Sequence, residues 1–91
     1  MFKISENKGF QIKFANGYTV SVQWGAGNYC GNYDIHSISF QNFGKPVPPS
    51  ETAEIAVFDP EGNFVDLDGD QVAGYQTPEE VAAIIAKYSA I

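Results

Sequence analysis

Apolar residues fall at every second position in two stretches near the start of the chain. Phe10, Ile12 and Phe14 alternate with Gln11 and Lys13, and Tyr18, Val20, Val22 and Trp24 alternate with Thr19, Ser21 and Gln23. That is the period of a half-buried strand. Ala15-Asn16-Gly17 separates the two runs and marks a hairpin. A two-residue Asn16-Gly17 loop would set Phe14 opposite Thr19 and Ile12 opposite Ser21, mixing apolar and polar residues on both faces. A three-residue loop sets Phe14 opposite Tyr18, Ile12 opposite Val20, Phe10 opposite Val22 and Lys8 opposite Trp24, so the apolar residues share one face. A one-residue slip turns every side chain to the other side. The pattern therefore predicts the three-residue loop, with Gly17 in the left-handed position of a bulged turn.

The same reading extends along the chain. Residues 2–4 form a short strand ended by Glu6-Asn7-Lys8-Gly9, and Ile35 to Phe40 form another. Residues 25–34 are a loop rich in Gly, Asn and Tyr. Gln41 to Ser50 is a connection whose Lys45-Pro46-Val47-Pro48-Pro49 cannot join a central strand. Ala53 to Phe58 is a strand, and Asp59-Pro60-Glu61-Gly62 carries type I turn residues. Phe64 to Leu67 returns, pairing Val57 with Val65 and Ile55 with Leu67. Asp68-Gly69 signals a further hairpin into a strand from Asp70 to Tyr75.

The chain closes on a helix. Thr77 is the N-cap, Pro78 stands at the first helical position and Glu80 completes a capping box. Val81, Ile84, Ile85 and Tyr88 form one apolar stripe, predicted to lie on the face made by Phe10, Ile12, Val20 and Val22. Glu79 and Glu80 near the start and Lys87 near the end suit the helix dipole. The expected fold is a single α+β domain over 1–91: a mostly antiparallel sheet of five to seven short strands against one C-terminal helix.

Composition narrows the function classes. The chain has 91 residues with seven Phe, five Tyr and one Trp, enough large apolar area for one small core. No stretch approaches a membrane span, and Met1-Phe2-Lys3-Ile4 lacks the apolar run of a signal peptide. The single cysteine, Cys30, cannot form an intramolecular disulfide, which points to an intracellular protein. The net charge is −6 and unevenly spread. Residues 1–50 carry four lysines against two acids, a local +2, whereas residues 51–91 carry nine acids against Lys87, a local −8. There is no arginine, so groove binding to duplex DNA is not expected.

The most suggestive chemistry lies in Trp24-Gly25-Ala26-Gly27-Asn28-Tyr29-Cys30-Gly31-Asn32-Tyr33. Glycines let a backbone approach a ligand, Asn offers donors and acceptors, and Tyr and Trp offer faces for stacking. The spacing is neither a dinucleotide fingerprint nor a P-loop. The alternative is a structural loop folded on the sheet edge. Lys3, Lys8 and Lys13 can cluster on adjacent strands and attract an anion, or be ordinary surface lysines. Ligand-binding candidates are thus Lys8, Lys13, Trp24, Gly25, Gly27, Asn28, Tyr29, Asn32 and Tyr33. Cys30 and His36 form the one sulfur–imidazole pair, a weak basis for nucleophilic catalysis. Asp66, Asp68 and Asp70 resemble the start of a calcium loop, but Gln71 and Thr77 stand where such a loop needs Gly and Glu. No catalytic residue, metal site or cofactor is assigned.

The run from Lys8 to Gly25, Gly27-Asn28-Tyr29-Cys30, and Thr52-Ala53-Glu54-Ile55-Ala56-Val57-Phe58-Asp59-Pro60-Glu61-Gly62-Asn63 resemble a group of small uncharacterised proteins of tailed bacteriophages and prophages. The resemblance covers most of the chain and transfers no catalytic residue. It implies a phage origin, expression in a bacterial cytoplasm, and the counter-defence role common among small phage accessory proteins, which sequester a signalling nucleotide or cover a host protein. With the Gly/Asn/Tyr loop beside Lys8 and Lys13, the leading expectation is a non-enzymatic protein that sequesters a nucleotide-like immune signal. The acidic second half makes docking on a basic host protein the second expectation. A phage structural or assembly accessory is the third. A homodimer would protect an exposed sheet edge.

Overall fold

A computed structural model describes residues 1–4, 8–24, 30 and 50–91. The strands β1 (Phe2–Ile4), β2 (Gly9–Lys13), β3 (Thr19–Gln23), β4 (Ala53–Phe58) and β5 (Val72–Gln76) are followed by helix α1 (Pro78–Ser89). The five strands form one antiparallel sheet in the order β1-β2-β3-β4-β5. With α1 this is the α+β architecture that the alternation predicts. The expected strand 35–40 lies outside the described residues.

The hairpin register is the one that segregates apolar from polar. Phe10 pairs with Val22 and Ile12 with Val20. The Phe14 N–H donates to the Tyr18 carbonyl at 2.9 Å, closing a three-residue loop, and Gly17 has φ +93°. Beyond β3 the same face continues, with Val20 opposite Val57 and Val22 opposite Ile55. Val20, Ile55 and Val57 are fully buried, and with Val22, Ala53 and Tyr88 they form the core. Burying branched side chains of this kind contributes about 1.5–3 kcal/mol each.

Two expectations are corrected. Ile55 pairs with Ala73, not with Leu67. Val65 does donate its N–H to the Val57 carbonyl at 2.8 Å, but ladder contact on this side is confined to a Phe58–Phe64 bridge beside that bond. The chain then reverses at Asp68-Gly69, where φ values of +53° and +93° make a tight turn bridged by Leu67 and Asp70. Leu67 packs against the core from this arm, and β5 takes the place beside β4. The strand expected from Asp70 accordingly starts at Val72.

The second correction concerns the helix. It lies over β3 and β4, because the deepest apolar pairs belong to those central strands. Phe10 still packs against the core from β2, but Ile12 stands outside that cluster. The helix start is as expected. Glu80 N–H donates to the Thr77 hydroxyl at 3.2 Å, and Thr77 N–H donates to the Glu80 carboxylate at 2.9 Å. The far end is tied to the β2–β3 turn by Asn16, whose Nδ2 donates to the carbonyls of Tyr88 (2.8 Å) and Ile91 (3.0 Å). Asn16 Oδ1 accepts from the Tyr18 N–H at 3.0 Å. No described helix is long and apolar enough to cross a membrane.

Candidate functional site at the Trp24 end of the sheet

Trp24 follows β3 at the end of the sheet nearest the start of the helix. Its N–H donates to the Lys8 carbonyl at 2.7 Å, so the two residues face each other as the register predicts. The approach is close because position 9 is glycine. A Cβ on Gly9 would lie 1.9 Å from the Val22 carbonyl oxygen. The Trp24 ring meets Phe10 edge to face, with centroids 6.2 Å apart and planes at 69°. Edge-to-face contact suits the ring quadrupoles and leaves the pair as one apolar wall.

That wall bounds a cavity of about 310 Å³ between the sheet and the first turns of α1. Its apolar lining includes Phe10, Val22, Trp24, Val81 and Ile85, and its polar lining is Ser50, Glu51, Thr52 and Gln76. A volume near the lower end of the ligand-pocket range suits a ring or a large side chain rather than a whole nucleotide. Among the described lining residues Glu51 carries the one formal charge, and none is a lysine.

A β-bulge decides which β5 residue joins the lining. Ile55 pairs with Ala73, and continuing that register would set Tyr75 opposite Ala53. Instead Gln76 pairs with Ala53, and the register shifts between Ala53 and Ile55. Tyr75 takes φ +54° and is 56% exposed. A left-handed aromatic residue stores strain of about 1–3 kcal/mol. The gain is positional, since Gln76 lines the cavity and Tyr75 stands outside it.

The sequence-predicted site is only partly assembled here. Lys8 and Trp24 come together. Lys13 does not join them, because it pairs with Thr19 at the far end of β2. Five residue steps along the strand separate Lys13 from Lys8, on the order of 16 Å. Lys13 alternates with the core-facing residues and lines a second cavity, of about 300 Å³, with Gln11, Thr19 and Asp59. Lys3 pairs with Gln11 and so shares the Lys13 side of the sheet. The three lysines therefore make no common cluster with Trp24. Gly25, Gly27, Asn28, Tyr29, Asn32 and Tyr33 lie outside the described residues, as does His36. Cys30 is 1% exposed and not in a disulfide. Burial denies its sulfur the approach a nucleophile needs.

The residues missed by sequence reasoning are Ser50, Glu51 and Gln76. Only a bulge brings Gln76 in, and no local pattern announces it. The acidic residues of the β4–β5 arm turn out to build its turns. Asp59 Oδ1 accepts from the N–H groups of Glu61 (3.0 Å) and Asn63 (2.9 Å), and Asp66 Oδ2 accepts from Gly69 (3.1 Å). Asp70 Oδ1 accepts from the Gln71 N–H at 2.8 Å. Among the described residues no group of three or more His, Cys, Asp or Glu is placed to hold a metal ion.

No family model matches the chain, and neither does any curated protein or solved structure.

Proposed function

We propose that this protein is a non-enzymatic binding module that takes a flat, base-like group into the Trp24 cavity. The observation behind this reading is the apolar cavity walled by the Phe10–Trp24 pair and closed by Val81 and Ile85. Stacking on such a wall contributes about 1–3 kcal/mol per base. Lys8, whose carbonyl accepts from the Trp24 N–H, is a candidate to meet a phosphate outside the cavity. With the resemblance to phage proteins, the role is sequestration of a nucleotide-like host immune signal in the bacterial cytoplasm. The chain holds one tryptophan, so its fluorescence reports directly on the site. Titration with nucleosides, cyclic nucleotides and ADP-ribose derivatives should quench it saturably, and calorimetry should return the same affinities. No response to any of them removes the reading.

A second reading is favoured by the β4–β5 arm, where Glu61, Asp66, Asp68 and Asp70 are all exposed. Such an arm can dock on a basic patch of a host protein, where charge complementarity speeds encounter. Capture of one host protein that is lost on reversing Asp66, Asp68 and Asp70 to lysine would support it. Undiminished capture would count against this face.

A further inference from the structure

We infer that Asn16 is a spontaneous deamidation site that the fold holds silent, and that its conversion irreversibly frees the C-terminal end of α1. Asn16-Gly17 is the one Asn-Gly step in the chain. Glycine has no side chain to shield its nitrogen, so the Gly17 N can attack the Asn16 Cγ. The N–Cγ bond forms, the Cγ–Nδ2 bond breaks, and ammonia leaves with the proton of the Gly17 amide. Water then opens the succinimide at either carbonyl. One opening gives aspartate, and the other gives isoaspartate, with the main chain rerouted through Cγ.

The folded chain opposes each requirement of that attack. The Gly17 N–H donates to the Phe14 carbonyl at 3.0 Å, so its proton is held. Asn16 Oδ1 accepts from the Tyr18 N–H at 3.0 Å, and Nδ2 donates to the carbonyls of Tyr88 (2.8 Å) and Ile91 (3.0 Å). The side-chain amide is thus fixed at both its polar atoms. Tyr88 is buried, and its ring lies 5.7 Å from that of Tyr18, which keeps the helix end against the turn. Conversion therefore proceeds from states in which this contact is open. Its product cannot restore the latch. A carboxylate has no N–H to donate, and it would face two carbonyls at the negative end of the helix dipole.

The full chain, kept in mildly alkaline buffer with and without denaturing urea, tests this by peptide mass mapping. In urea, Asn16 should convert well ahead of Asn63, which precedes the bulky Phe64. Without urea, conversion at Asn16 should slow by about tenfold or more, the factor for an opening that costs about 1.4 kcal/mol or more. The converted form, separated by its added negative charge, should have a lower urea midpoint than fresh protein, at or below that of Asn16→Asp. Equal rates with and without urea overturn the protection. An Asn16 no faster than Asn63 in urea overturns the site. A converted form as stable as fresh protein overturns the latch.

Discussion

Glycine 9 illustrates how one atom can decide the sheet. Its φ of +154° lies in backbone space that side chains rarely adopt, and an added Cβ would meet the Val22 oxygen at 1.9 Å. Nothing soft can give way, since the obstacle is the backbone of the paired strand. Gly9→Ala should therefore destabilise the fold by about 2–3 kcal/mol, near the upper end of ordinary point substitutions. Gly69 is the control. It too has positive φ, +93°, but an added Cβ meets nothing within 4 Å. Gly69→Ala should cost only the conformational strain, about 1–2 kcal/mol. Urea denaturation of the two variants separates collision from conformation. Because Gly9 pairs with Gln23 and so adjoins the Lys8–Trp24 contact, Gly9→Ala should also shift the tryptophan emission of the native state.

At the scale of elements, the helix is held at both ends by side chains that act on backbone groups. At its start the Thr77 backbone N–H, and secondarily the Thr77 side chain, hold the Glu80 carboxyl below its ordinary value of 4.5. A carboxyl lowered in the folded state contributes stability that is present above the unfolded pKa and lost as pH falls through the folded one. The acid limb of the stability profile, below pH 4.5, should therefore be shallower in Glu80→Gln than in the wild type, read by urea midpoints at successive pH values. Thr77→Ala should cost about 1 kcal/mol at neutral pH. At its end the helix depends on Asn16, which makes two bonds to C-terminal carbonyls and one to Tyr18. Asn16→Ala should cost about 2 kcal/mol. Asn16→Asp should cost more, since it cannot donate and places a negative charge at the negative end of the helix dipole. The contrast between the two ends shows what the sequence makes legible. The capping box and the hairpin register are local, fixed by residues within a few positions of each other. Asn16 reads locally as a turn residue, and its hold on Tyr88 and Ile91 spans more than seventy positions. The misread pairing of Ile55 has the same origin, because alternation alone cannot tell which of two candidate strands, 64–67 or 70–75, will lie beside β4. The Trp24–Lys8 half of the site followed from the register, whereas Gln76 depended on a bulge and stayed hidden.

Across the whole molecule the charges are sorted by position in the sheet. Lys3, Lys8 and Lys13 belong to the β1–β2 side, while Glu61, Asp66, Asp68 and Asp70 extend from the β4–β5 side. Two electrostatic effects compete. Attraction across the sheet favours the folded state, and repulsion within the acidic arm opposes it. Lys13 shares a cavity lining with Asp59 at the base of the arm, but Lys3 and Lys8 stand farther off in the sheet, with strands spaced about 4.8 Å apart, and solvent weakens attraction over such distances. The arm acids lie within a few residues of one another, with nine acids against one lysine over 51–91. Repulsion should therefore win, and salt should stabilise the protein. Raising ionic strength from about 0.01 M to about 0.15 M shortens the Debye length from roughly 30 Å to roughly 8 Å. The urea midpoint should rise over that interval, and urea is the right denaturant because it adds no ions. An Asp66→Asn, Asp70→Asn variant tests the cause. The amide oxygen can still accept from Gly69 and Gln71, so the turns keep their bonds while two charges vanish. This variant should be more stable than the wild type at low salt and show a flatter salt dependence. A midpoint that falls with salt in the wild type would mean that attraction between the two sides of the sheet outweighs repulsion within the arm. The arm's charge would then be part of what holds the fold together, and the same substitutions would weaken it.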